Sequence, residues 1–138
     1  MSWSVVLPHE AHPSLREAMA KVCDVIVEWC RASGVSNVER VCEAGAGGPI
    51  TICLAEPSPY AVMAGGRKLA GLSARRYRST WLIQGSLLNR PWPERLRRRL
   101  PPAVRQAIDD RAVSLTEASG IEHDEGVAAR MLAEVLRA

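Results

Sequence analysis

The feature that most constrains this chain is a helix that has to be covered. Ser14-Leu15-Arg16-Glu17, with Pro13 just before it, is a capping box, in which serine and glutamate each satisfy the other's backbone amide. From there Leu15, Ala18, Met19, Val22, Ile26, Trp29 and Cys30 recur at threes and fours on one face. Arg16, Glu17, Asp24, Glu28 and Arg31 take the other faces, and Gly34 after Ser33 supplies a stop. An apolar stripe this wide needs a sheet over it.

The strands to build that sheet follow from local pattern. Trp3 to Leu7 reads as a short strand stopped by Pro8. Between Ile50 and Leu88 the pattern predicts strands over Ile50 to Leu54, Tyr60 to Met63, Lys68 to Ala74 and Trp81 to Leu88. Glu56-Pro57-Ser58-Pro59 is a turn, and Ala64-Gly65-Gly66 closes a hairpin. Ala44-Gly45-Ala46-Gly47-Gly48 lacks the register of a phosphate cradle and reads as a mobile loop. Beyond Leu88 the chain turns helical. A short basic helix over Pro93 to Leu100 ends at Pro101-Pro102, and Ala103 to Asp110 forms another. Ser114-Leu115-Thr116-Glu117 leads to a loop at Gly120. A last helix, Asp124 to Arg137, is expected to bury Val127, Met131, Leu132, Val135 and Leu136. The expected fold class is α+β, a mainly antiparallel sheet flanked by helices, in one domain over residues 1–138.

Composition excludes several functions. The chain has no phenylalanine, so aliphatic side chains must build the core. No stretch approaches ~20 apolar residues, so a membrane span is not expected. A formal charge of +3 is mild for a nucleic-acid binder, and no base-stacking motif is present. The basic run Arg90, Arg95, Arg97, Arg98 and Arg99 fits a solvated face or a surface that attracts an acidic partner. Cys23, Cys30, Cys42 and Cys53 form no C-x-x-C pair, and no histidine stands at zinc-ligand spacing. Free thiols and a cytoplasmic location are expected, with no metal site. His9, His12 and His123 are expected in solvent-facing loops.

One residue stands apart chemically. The chain carries 18 basic residues, and only Lys21 and Lys68 are lysines. Lys68 sits between glycines in Gly65-Gly66-Arg67-Lys68-Leu69-Ala70-Gly71-Leu72-Ser73-Ala74-Arg75-Arg76. Lysine is a slim point charge that can be desolvated and aimed at one oxygen, where arginine is a planar fork. A site that polarises a carbonyl or holds a phosphate oxygen wants such a group. The alternative is a surface lysine on a hairpin edge.

Three segments in order carry a resemblance. These are Ile52-Cys53-Leu54-Ala55-Glu56-Pro57-Ser58-Pro59-Tyr60, the Gly66 to Arg76 run, and Leu82-Ile83-Gln84-Gly85-Ser86-Leu87-Leu88. Together they resemble the lipoate–protein ligase and octanoyltransferase family, whose catalytic domain is shared with biotin ligases. The resemblance implies transfer of a lipoyl or octanoyl group to a lysine of a lipoyl carrier domain. It implies no tightly held cofactor, but a lipoate or octanoate donor, with ATP and Mg2+ where the chemistry is ligase-type. By match to the family motifs, Lys68 is the lysine that contacts the acyl carbonyl. Cys53 stands where one transferase branch forms an acyl-thioester; a small buried hydrophobe is the other reading. Gly66, Gly71, Ser73, Gln84 and Gly85 are the implied substrate-binding residues, with Gln84 where many members have histidine. Glycines at 66 and 71 would let a ligand approach the backbone. An apolar strand pair would suit an aliphatic chain of about eight carbons, at roughly 0.8 kcal/mol per buried methylene.

The resemblance is incomplete. The family's arginine-containing glycine-triplet motif would precede Trp3 and is not in this sequence, and Ala44 to Gly48 lies on the wrong side of the first helix to replace it. The chain therefore looks like the C-terminal half of a biotin/lipoate ligase catalytic domain. It is expected to be inactive alone, and to need a complementary N-terminal half or self-association over its first helix and first strand. A split subunit, a truncation and a decayed relative all fit. A non-catalytic interaction or ligand-binding remnant is the competing reading.

Overall fold

The computed structural model describes residues 1–41, 55 and 58–137. Within them the chain runs β1 (Ser2–Pro8), α1 (Leu15–Ala32), β2 (Val38–Val41), β3 (Ala61–Ala64), β4 (Arg67–Arg76), β5 (Thr80–Leu87), α2 (Glu94–Arg97), α3 (Pro102–Arg111), α4 (Leu115–Ser119) and α5 (Glu125–Arg137). The strands form one antiparallel sheet in the order β1-β5-β4-β3-β2. Expected strand Ile50 to Leu54, loop Ala44 to Gly48, Cys42 and Cys53 lie outside the described residues.

Helix α1 forms where the capping box starts it. Ser14 Oγ accepts the Glu17 amide at 3.2 Å, and Glu17 Oε2 accepts the Ser14 amide at 3.2 Å. At its other end Gly34 takes φ +93°, which only glycine adopts without strain. The stripe is wider than its sequence spacing indicates, since Cys23 and Val27 are buried beside Val22, Ile26, Trp29 and Cys30. Those side chains pack on Val38, Val62, Ala70, Leu72, Ile83 and Leu87 from the sheet. Leu15 starts the stripe yet is exposed. The chain's own sheet thus covers the apolar face of α1.

Two elements differ from expectation for local reasons. Strand β2 escaped notice because Val38-Glu39-Arg40-Val41 is short and half charged; among the described strands it lies at the end of the sheet, where charges are tolerated. In α5 the buried face is Ala128 and Leu132, with Leu136 packed beside them, whereas Val127, Met131 and Val135 are exposed. Helix α5 packs against α1, and the small Ala128 is buried in the core the two helices share. A second capping box, Ser114 with Glu117, opens α4 where the sequence suggested only an approach to a loop.

Cys30 is wholly buried, and that burial pushes its thiol from 9.0 up to about 12. The folded state therefore holds this proton more tightly than the unfolded chain. Stability from Cys30 is complete below pH 9.0 and is lost as pH rises toward about 12. The slope approaches about 1.4 kcal/mol per pH unit for one such group. Thermal midpoints measured from pH 8 to 11 should fall more steeply for the wild type than for Cys30→Ala. Equal slopes would refute the assignment.

Candidate active site

The position of Lys68 depends on one irregularity in β4. Val62 pairs with Ala70, but Met63 pairs with Lys68, which leaves Leu69 as an extra residue. Strict alternation would put Lys68 on the same face as Ala70 and Leu72, against α1. The bulge resets the alternation, so that Leu69 and Ala70 both join the core and Lys68 turns to the opposite face. There it lines a groove of about 530 Å³ with Gly71 and Ser73. Its backbone is clamped: Met63 lies on one side, and on the other its carbonyl accepts the Val113 amide at 2.9 Å. Lys68 is only 4% exposed, and its Nζ donates to Ser58 Oγ at 3.4 Å.

Ser58 accepts the Ala61 amide through its carbonyl at 3.1 Å, and the turn between them is strained. Tyr60 takes φ 66°, in the left-handed region a bulky residue rarely enters. Its amide donates to Val41 O at 2.9 Å, and its carbonyl accepts the Cys23 thiol at 3.3 Å. Strain at such a position is characteristic of functional loops.

The rest of the groove is set by register. Ser2 pairs with Ser86 and Ser86 with Gly71; Ser4 pairs with Gln84 and Gln84 with Ser73. Paired residues share a face, so these six form two rows across three strands. Gln84 donates from Nε2 to Ser4 Oγ at 3.4 Å. Lys68, Gly71, Ser73, Gln84 and Gly85 therefore meet in one groove. Ser2, Ser4, Ser58 and Ser86 join them and were missed; the Ser2/Ser4 alternation on β1 was the available signal.

Three expectations fare differently. Gly66 is not part of the groove: with φ +77° it forms the tip of the β3–β4 hairpin, and its glycine serves the turn. Gly85 contributes backbone, but the space its missing side chain leaves is filled by the Trp3 indole. The lining is mixed and not wholly apolar: Trp3 and Leu72 line the groove beside the serines, Gln84 and Lys68, while period two sends Ile83 and Leu87 to the core beneath. Among the described residues the arrangement is a sheet face with a buried ammonium at one end and hydroxyl and amide groups along it. Such a face can neutralise and orient an anionic or carbonyl oxygen.

No protein-family model and no curated protein matches the chain. Solved structures do. Biotin protein ligase from Aquifex aeolicus superposes with TM-score 0.68 at 12% identity, over 99% of this chain and 50% of that one. Lipoate-protein ligase A bound with ATP gives TM-score 0.68 at 16% identity, over 99% and 51%. This is the biotin and lipoate protein ligase fold. A T. acidophilum protein provisionally described as a lipoate protein ligase, with bound lipoic acid, gives TM-score 0.66 at 14% identity, over 99% and 51%. The chain spans about half the length of these ligases and corresponds to their C-terminal half. The Aquifex aeolicus enzyme has also been solved with biotin and ATP. Among the described residues no helix is long and apolar enough to cross a membrane, and no group of three or more His, Cys, Asp or Glu could hold a metal ion.

Proposed function

We propose that this chain is the C-terminal half, or a subunit, of a lipoate–protein ligase or octanoyltransferase-like enzyme. It helps attach a lipoyl or octanoyl group to a carrier-domain lysine, and it does so only with the other half of the site. The observation that carries this reading is the buried Lys68 ammonium, which a bulge turns out of the core and into a polar groove on this fold.

The chemistry follows from the residues. Acyl transfer to an amine places negative charge on the acyl carbonyl oxygen, and a desolvated ammonium stabilises it there. Ser58 steadies that ammonium. Gly71 keeps the floor low beside it, and Ser73 and Gln84 present hydrogen-bonding groups further along. An ammonium with nearby hydroxyls also suits phosphate oxygens, so Lys68, Ser58 and Ser73 are the residues that would hold a nucleotide phosphate. ATP, when bound, supplies activation of the acyl carboxylate; Mg2+ is assigned no protein ligand. Cys53 stays a proposed nucleophile on the sequence resemblance alone. The lipoyl and octanoyl assignment rests on the sequence motifs, since the fold is shared equally with biotin ligases.

The chain is proposed to be inactive alone because it spans about half the length of the ligases it resembles. Purified chain is incubated with an unmodified carrier domain and either octanoyl thioester or lipoate, ATP and Mg2+. The expected outcome is binding of the acyl compound without turnover. Transfer at roughly one per second or more would overturn the need for a second half. Preference for biotin over lipoate and octanoate would overturn the acyl assignment. The competing reading, a binding remnant, draws on the polar lining of the groove; it predicts that no added half restores transfer.

A further inference from the structure

The basic run identified in the sequence is largely neutralised. Arg97 bridges Glu94 and Asp109, Arg98 pairs with Glu94, and Arg90 with Glu122. Arg95 and Arg99 of that run enter no ion pair among the described residues, and a second exposed set of arginines lies at the far end of the sheet. Arg75, Arg76 and Arg78 stand exposed at the tip of the β4–β5 hairpin, and none enters an ion pair among the described residues. Tyr77 between them is 48% exposed.

This tip is fixed in place. Tyr77 donates its amide to Thr80 O at 2.8 Å, and His9 donates to Ser79 O at 2.9 Å, tying the end of β1 to the turn. Below it Trp81 donates Nε1 to His12 O at 2.8 Å, meets the His9 ring at 4.6 Å with the planes tilted by 53°, and carries the Arg76 guanidinium 5.7 Å from its ring centre. Arg75 lies 5.7 Å over Tyr77. Pre-ordered side chains lose less entropy on binding. The tip also continues the groove. Arg75 pairs with Leu82 two residues beyond Ser73, so it shares the groove face and stands roughly 13 Å along the strand from Gly71.

We infer that the β4–β5 hairpin tip is the docking prong for the acceptor protein, with Arg75 and Arg78 pairing to carboxylates on the surface around its target lysine. The inference rests on the proposed transfer to a protein lysine. Arg76 is placed on Trp81 and serves the shape of the prong. Two outward arginines on one tip suit a small acidic protein surface; duplex binders with strong salt dependence make about six to ten phosphate contacts.

The probe is a purified lipoyl carrier domain with its lysine unmodified, titrated against the full chain by calorimetry. Arg75→Ala with Arg78→Ala should weaken carrier binding at least tenfold at about 50 mM salt, with the gap closing near 500 mM. Arg75→Lys with Arg78→Lys should retain most of the binding, as a charge effect requires. Arg95→Ala with Arg99→Ala should leave it unchanged. Equal carrier affinity in wild type and the alanine pair overturns the inference, as does no carrier binding at about 1 mM or displacement of the carrier by a lower concentration of single-stranded DNA. Binding of octanoate or lipoate is followed in the same variants and should not change. Failure of the functional reading shows separately, as the wild-type chain binding neither octanoate nor lipoate.

Discussion

Lys68→Ala is expected to lower acyl transfer in a reconstituted complex by about 100- to 1,000-fold, on the order of 3 kcal/mol of transition-state stabilisation. Lys68→Arg keeps the charge and should still be harmful. The space around Nζ is set by Ser58 and the bulged strand, and a planar fork cannot present its charge as a single point there. Folding should change little in either variant. Lys68 is anchored by its backbone to Met63 and Val113, and both contacts survive loss of the side chain. Lys21→Arg, on an exposed position of α1, is the control and should be silent. The measurement is the rate of carrier acylation alongside the thermal midpoint. If the two lysine-to-arginine variants transfer equally well, Lys68 is only a strand residue and the site assignment fails.

What could be read in advance divides along a physical line. Features set by residues close in sequence were legible: the Ser14–Glu17 capping box, the Gly34 stop and the turn at Gly65-Gly66 all depend on a few neighbours. Features set by pairing across the sheet were not. The bulge at Leu69 is an insertion in register, visible only when β3 is laid against β4. Read alone, β4 alternates smoothly and would bury Lys68 under α1. The same holds for the polar lining. Ser73, Gln84 and Ser4 are remote in the chain and become one row because β1, β5 and β4 pair as they do. The face of α5 was misread because hydrophobicity alone favours Val127 and Met131 over Ala128, while the face packed into the core is the one that carries Ala128 and Leu132. The sequence resemblance supplied Lys68, Gly71, Ser73 and Gln84 together, but could not distinguish a glycine kept for ligand from one kept for packing.

Gly85 is where that distinction can be measured. A Cβ placed on it would lie 2.2 Å from Trp3 Cζ2 and 2.4 Å from Trp3 Cε2, far inside contact distance. The obstacle is a rigid ring, not the end of a flexible chain. Trp3 is itself fixed by its pairing with Gly85 in the β1–β5 ladder and by packing against the core. Gly85→Ala should therefore destabilise the fold by about 3 kcal/mol, the upper end of ordinary overpacking. For a chain of this size that is a fall of roughly 10 °C in thermal midpoint. Trp3→Val removes the ring and should cost a similar amount through lost burial. The two changes share one contact, so the double variant should be less destabilised than the sum by more than about 1 kcal/mol. Additive effects would mean that Gly85 does not shape the seat of Trp3. Gly85→Ala with a wild-type midpoint and no acyl binding would assign this glycine to ligand approach instead, and would move the acyl group to the core side of β5.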